Sequence, residues 1–145
     1  MRKQHIIQFI IMTIIGMCFN PMNALASDVN DIFTSLTLLY GGILMASNMV
    51  WGHELIHFLS IGHFNTRVFV VGICLSLFST FLLRDQLFVD DSQWLRRMIG
   101  HHSTALTTSR KIYERTSDPL VKNLAKGIVE GQTKEISLMK SMLVK

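Results

Sequence analysis

The first 83 residues of this chain carry six formal charges, Arg2, Lys3, Asp28, Asp31, Glu54 and Arg67, and these cancel. From Arg84 onward come eleven Lys/Arg against seven Asp/Glu, which account for the whole net charge of +4. A segment so poor in charge cannot build a water-facing surface around a core of its own, whereas the charged remainder can. With 145 residues, 49% of them hydrophobic, and a mean hydropathy of +0.35, there is room for one modest domain beside an apolar region. The expected fold class is all-α: two or three transmembrane helices followed by an extracytoplasmic antiparallel helical hairpin, a ferritin-like half-bundle.

Residues 1–26 have the form of an export signal or a first transmembrane helix. Arg2 and Lys3 precede the apolar run IIQFIIMTIIGMCF, Asn20-Pro21 breaks it, and Ala24-Leu25-Ala26 supplies a small-x-small cleavage pattern ahead of Ser27. Residues 27–84 form the membrane region. There Ile32–Gly52 and Val68–Leu83 are uncharged and long enough, at about 1.5 Å per residue, to approach a bilayer core about 30 Å thick. Helices are expected, because two isolated strands would leave their edges unsatisfied in lipid. Whether or not the signal is removed, the crossings leave residues 85–145 outside the cytoplasm, so a cell (inner) membrane location follows. Cys18 and Cys74, both within apolar stretches and remote from any CxxC spacing, read as small buried hydrophobes.

His53-Glu54-Leu55-Ile56-His57 matches HExxH, in which two histidines one turn apart hold zinc and the glutamate acts as base, and His63 falls at the third-ligand position of the extended motif. Ser60 replaces the glycine of that longer pattern, and the surrounding chain offers little room for a substrate cleft. Met45, Met49, His53 and His57 also follow one another at intervals of four, a stripe of soft ligands on one helix. Interfacial histidines and packing methionines explain the same residues without a metal, and that plainer reading is preferred.

The charged remainder reads as two amphipathic helices. Asp91 or Ser92 is expected to cap the first, and Asp118-Pro119 supplies a cap and a first-turn proline for the second. Leu95, Met98, His102, Ala105, Ser109 and Ile112 share one face, with His101 at its edge; Leu124, Ile128, Gln132, Glu135, Met139 and Met142 share the other. Gly127 and Gly131 are expected at a close helix approach. In a hairpin turning near Thr116, His102 comes opposite Gly131–Gln132 and Met98 opposite Glu135. A carboxylate on an apolar face needs a partner, either an imidazolium of His101 or His102 or a shared metal. Thioethers beside imidazoles favour copper, so Met98, His101, His102, Glu135, Met139 and Met142 are the candidate ligands. The basic residues are spread over both helices without clustered aromatics, which argues against a nucleic-acid partner.

The motifs WLRRMIGHHSTALTTSRK and DPLVKNLAKGIVEGQTKEISLMKSM resemble the domain-of-unknown-function 305 family. The resemblance rests on Met98, the pair His101-His102, and Gln132, Glu135, Ile136, Met139 and Leu143 in the pattern QxxEIxxMxxxL. It implies a ferritin-like helical domain, exported or membrane-bound, with copper binding in some members. Thr108 stands where soluble members carry a methionine one turn after the histidine pair, and this chain has one hairpin where longer members have two. The expected function is a membrane-anchored extracytoplasmic copper-binding carrier or buffer, not an enzyme, with the lipid bilayer and a second copy of the chain as partners. The alternatives are a structural hairpin that dimerises without metal and a small zinc-dependent membrane hydrolase using HELIH.

Overall fold

A computed structural model describes residues 3–144, and among them the chain is all-helical. The helices are α1 (Lys3–Cys18), a single turn α2 (Pro21–Ala24), α3 (Leu36–Ile61), α4 (Thr66–Asp85), α5 (Asp91–Arg115) and α6 (Pro119–Leu143), with a 3₁₀ turn at Val29–Asp31 between α2 and α3. Arg2, part of the expected positive start, lies outside the described residues. The chain divides into two compact units, one formed by residues 1–19 and 36–88 and the other by residues 20–35 and 89–145. Residues 20–35, which the sequence assigns to the signal and membrane regions, thus belong with the hairpin.

In the first unit α3 packs against both α1 and α4. Its interior is made mainly of small groups: Gly16 on α1, Gly42, Ala46 and Ser47 on α3, and Gly72, Ser76 and Ser79 on α4 are all buried, with Tyr40 and Val68 the larger apolar exceptions. The large apolar side chains point outward, among them Ile7, Ile10 and Ile14 on α1 and Leu77, Phe78 and Phe81 on α4. This inverts a water-soluble bundle and matches packing in lipid, where small residues let backbones approach and side-chain hydrogen bonds join helices. Asn48 provides such a bond: its Oδ1 accepts from Ser76 Oγ at 2.9 Å. Lys3–Ala24 and Thr66–Asp85 are long and apolar enough to cross a membrane. α3 has the length, but Asn48, His53, Glu54 and His57 dilute it, and it begins at Leu36, after the expected start of a span at Ile32.

The ends of these helices are set locally. Asn20 caps α2, its side chain accepting from the backbone of Met22 and Asn23, so the expected break at Asn20-Pro21 is present. Gly62, at φ +69°, takes the left-handed conformation that turns the chain out of α3. Gln86 closes α4 in the left-handed region at φ +48°, where Thr37 Oγ1 donates to its side chain at 2.8 Å and Tyr40 donates to the neighbouring Leu87 carbonyl at 2.8 Å. Cys18 and Cys74 lie on exposed helix faces, not in the interior expected of them.

In the second unit α5 and α6 form the expected hairpin. Asp90, one residue ahead of the expected cap, accepts from Gln93 N and starts α5. Asp118 accepts from Leu120 N and Val121 N, with Pro119 in the first turn of α6, and Thr116 ends α5. Gly127 and Gly131 have no atoms within contact of where a Cβ would stand, so the expected close approach at these glycines is absent. The helices are instead held apart by larger side chains further along.

Of the glycine positions, the closest helix approach lies between α1 and α3. A Cβ on Gly42 would fall 2.7 Å from the Thr13 carbonyl oxygen and 2.9 Å from Met17 Cγ, whereas one on Gly41 would meet nothing. Gly42→Ala should therefore destabilise the detergent-solubilised protein by about 1–3 kcal/mol, the range for overpacking. Gly41→Ala should be neutral or stabilising by up to about 1 kcal/mol through helix propensity. Paired thermal melts followed by circular dichroism test this difference; equal effects would show that α1 does not seat on α3.

Candidate functional site

The hairpin core consists of Leu95, Ile99 and Leu106 from α5 with Ile136 and Met139 from α6, and Phe33, Met98, Val129 and Leu143 pack around it. Ile99 is fully buried, as is Ser103. The buried stripe of α5 is thus 95, 99, 103, 106, rotated by a fraction of a turn from the stripe through Met98, His102 and Ala105 that the sequence suggests. The reason is a third layer. Residues 27–35 lie over the hairpin and bury Ser103, which hydropathy alone would place at the surface.

That rotation decides where each candidate ligand stands. Met139 is buried in the core, and Met98 packs at its margin. His102 is mostly covered while its neighbour His101 is exposed, their ring centres 5.9 Å apart. Glu135 and Met142 are both on exposed surface, so the carboxylate expected on an apolar face keeps 55% of its side chain accessible. Leu124 at 66% exposure and Ile112 at 47% are likewise outside the stripes expected to bury them.

His102 and Glu135 come together across the two helices. Imidazole Nδ1 lies 3.0 Å from Glu135 Oε2, but off the line of a hydrogen bond, so the contact is one of charge and proximity. Burial lowers the His102 pKa below its ordinary value; the Glu135 charge opposes this and His101 adds to it. The ring is therefore biased toward its neutral form, which leaves one nitrogen lone pair able to bind an acid, whether a proton or a metal ion. Among the described residues, no three His, Cys, Asp or Glu side chains already stand as ligands to one ion. The fit to a metal is thus partial: two hard or borderline donors are in place, with a thioether on the same helix one turn before His102.

A second polar group in this unit has no counterpart among the sequence candidates. Asp31 is 3% exposed, accepts from Ser103 Oγ at 2.6 Å and pairs with Lys140. Ser103 Oγ in turn accepts from the backbone of Ser27 at 2.7 Å, and Arg110 donates to Ser27 Oγ at 2.8 Å. Thr104 Oγ1 donates to the Met22 carbonyl at 3.0 Å. This network fastens residues 22–31 to both hairpin helices. A signal for it existed: Asp31 is a charge in a stretch otherwise nearly free of them, and such a charge needs a partner wherever the chain folds over it.

The HELIH motif lies in the first unit, at the end of α3. A pocket of about 820 Å³ there is lined by His5 from α1, by His53, Glu54 and His57 from α3, by His63 and Asn65 from the turn into α4, and by Arg67 in the first turn of α4. Glu54 is buried, and its Oε2 accepts from Asn65 N at 3.0 Å, which ties the α3–α4 turn to α3. A carboxylate engaged this way is poorly placed as the base that a zinc hydrolase needs. In the alternative stripe of soft ligands on α3, Met45 and Met49 are each almost half exposed, and Met45 Sδ lies against Gly16 of α1.

Residues 84–143 match the family model described as "Domain of unknown function (DUF305)". "Uncharacterized protein L153" of Acanthamoeba polyphaga mimivirus is 32% identical over 143 residues, covering 99% of this chain and 93% of the relative. No solved structure matches the chain. The match to the viral protein runs through both compact units, while the family model takes in the end of α4, the α5–α6 hairpin and the residues joining them. The chain belongs to the DUF305 family.

Proposed function

We propose that this protein is a membrane-anchored metal-binding protein whose α5–α6 hairpin carries a copper ion, as a carrier or buffer, outside the cytoplasm. The observation that carries the reading is the meeting of His102 Nδ1 and Glu135 Oε2, 3.0 Å apart on opposite helices without hydrogen-bond alignment. Two donors that close without bonding each other are arranged to share a third partner. Met98, one turn before His102, adds a thioether, and imidazole with thioether suits copper in either oxidation state. Glu135, Leu138 and Met142 lie along one exposed stripe of α6. A second copy seated on that stripe would double the donors at the seam.

The anchoring part of the proposal has α1 retained as a transmembrane helix, not removed after Ala26. Its support is the seating of α1 on α3 at Gly16 and Gly42, together with the docking of residues 22–31 on the hairpin. With the N-terminus inside, three crossings put the hairpin outside. The intact mass of the membrane-extracted protein checks this: retention gives the full chain, and a mass lacking residues 1–26 would refute it.

Copper binding is tested on the full chain in detergent, with Cu(I) supplied in competition with a chelator and metal content read by elemental analysis. His102→Ala should weaken binding by at least roughly tenfold, the least expected for a residue in a metal's inner or outer shell, with helicity unchanged. Met98→Leu should act in the same direction. The rival reading, a His–Glu contact that fixes the register of a metal-free hairpin, expects the same variants to lower the melting temperature while added copper changes nothing.

The neutral bias of His102 has its own consequence. Because its folded pKa is lowered, the unfolded chain takes up the proton first as pH falls, so this residue's share of stability is complete above about pH 6.5 and declines below it. Melting temperature should therefore fall between pH 7.5 and pH 5.5, and fall less in His102→Gln. An equal loss in both would remove His102 from the account.

A further inference from the structure

We propose that the imidazoles of His5, His53, His57 and His63 form a second metal site, for a borderline divalent cation such as zinc, at one end of the α1–α3–α4 unit. The hairpin seat takes no part in it. The argument begins with spacing. His53 and His57 stand one turn apart on α3 with ring centres separated by 5.7 Å, and His57 and His63 are again 5.7 Å apart. Nitrogens about 2.0–2.1 Å from one tetrahedral ion lie about 3.3 Å from each other, which puts the ring centres about 5 Å apart. Each of these two pairs is thus close to the spacing of two imidazoles on one ion, with His57 common to both. Side-chain rotation would have to bring the remaining rings onto that ion, since no three such side chains among the described residues stand ready as ligands.

A second observation points into the same space. His5, brought from α1, lines this pocket, and its Nδ1 is buried with no hydrogen-bond partner. A buried, unsatisfied nitrogen is uncommon and costly unless something binds it. A cation shared with His57 and His63 would bind it. Glu54 and Arg67 place one charge of each sign on the pocket wall, so a divalent ion does not enter a cationic pocket. The donor set is nitrogen only, which suits zinc, nickel or Cu(II) over Cu(I).

The arrangement also says what such an ion would do. Glu54 already holds Asn65 N, so the carboxylate braces the α3–α4 turn that carries His63, and the usual HExxH chemistry has no free base. The ion would pin α1 to the C-terminal end of α3 and to that turn. The role is binding and clamping, not hydrolysis.

The test uses the full chain in detergent micelles carrying His102→Ala and Glu135→Gln, so that the hairpin seat is absent and its fate does not affect the result. Zinc is the probe, with uptake measured by elemental analysis after gel filtration and affinity by competition with a chromogenic chelator. The expected result is one bound zinc per chain, a raised melting temperature with zinc present, and at least tenfold weaker binding on adding His53→Ala and His57→Ala. His53→Gln with His57→Gln is the companion variant should the alanines impair folding. No zinc uptake by the parent, or uptake unchanged in a folded double variant, overturns the site.

Discussion

The second unit depends on how one carboxylate is satisfied. Asp31 is almost wholly buried, and a lone charge there would cost far more than two helices could offset. It is held from two sides, by Ser103 of α5 and by Lys140 of α6, so the same group that must be paired also draws the hairpin's two helices under residues 27–35. Removing one partner of such a pair typically costs about 3–5 kcal/mol, a large fraction of the stability of any small domain. A bare α5–α6 hairpin has little core beyond five residues. With the strap in place Phe33 joins that core, Ser103 is enclosed, and α5 turns the face that leaves His102 mostly covered beside the half-exposed Glu135. The geometry of the candidate ligands is therefore a consequence of a residue more than sixty positions away from them.

The first unit solves a different problem. Its buried surface is mostly glycine, alanine and serine, which contribute little hydrophobic stabilisation, with Tyr40, Val68 and Glu54 besides, and its exterior carries isoleucine, leucine and phenylalanine. In water that arrangement would invert or aggregate; in hydrocarbon the outer side chains are already solvated, and close backbone packing is what remains to hold helices together. Gly72 lies where a Cβ would come within 3.0 Å of Trp51, so the α3–α4 contact is made by backbones as much as by side chains. Ser76, buried on α4, donates to Asn48 on α3 and so joins the two helices. The histidines sit at the end of this unit, where α3 gives way to a turn.

Much of this was legible in the sequence where the signal is local. The break at Asn20-Pro21, the cap at Asp118-Pro119 and the two hairpin helices each depend on a few neighbouring residues, and each is present. The pairing of Glu135 with a histidine of α5 also follows from chemistry and rough register. What was hidden depends on contacts between distant segments. The core stripe of α5 could not be fixed from periodicity, because Ser103 is buried by a hydrogen-bonded strap and not by its own hydropathy. Gly127 and Gly131 have the spacing of a close approach, yet spacing cannot show which side of α6 faces α5. His5 joins the HELIH histidines only because α1 packs against α3, a contact made by glycines that leave no trace in a hydropathy pattern.

The energetics of the His102–Glu135 contact bear on what it is for. A half-exposed ion pair without hydrogen-bond alignment contributes about 0–1 kcal/mol, and desolvation of the imidazole works against even that. Each of the buried side chains Ile99, Ile136 and Met139 contributes about 1.5–3 kcal/mol on burial, and their interdigitation already fixes how α5 and α6 slide past each other. A register lock built from His102 and Glu135 would therefore add little to what the core decides. A ligand seat asks for the opposite properties: an imidazole kept neutral, a carboxylate reachable from solvent, and a gap that a third atom can fill. The pair has the first two of these, a His102 biased toward its neutral form and a half-exposed Glu135, and they are what the proposed role would require.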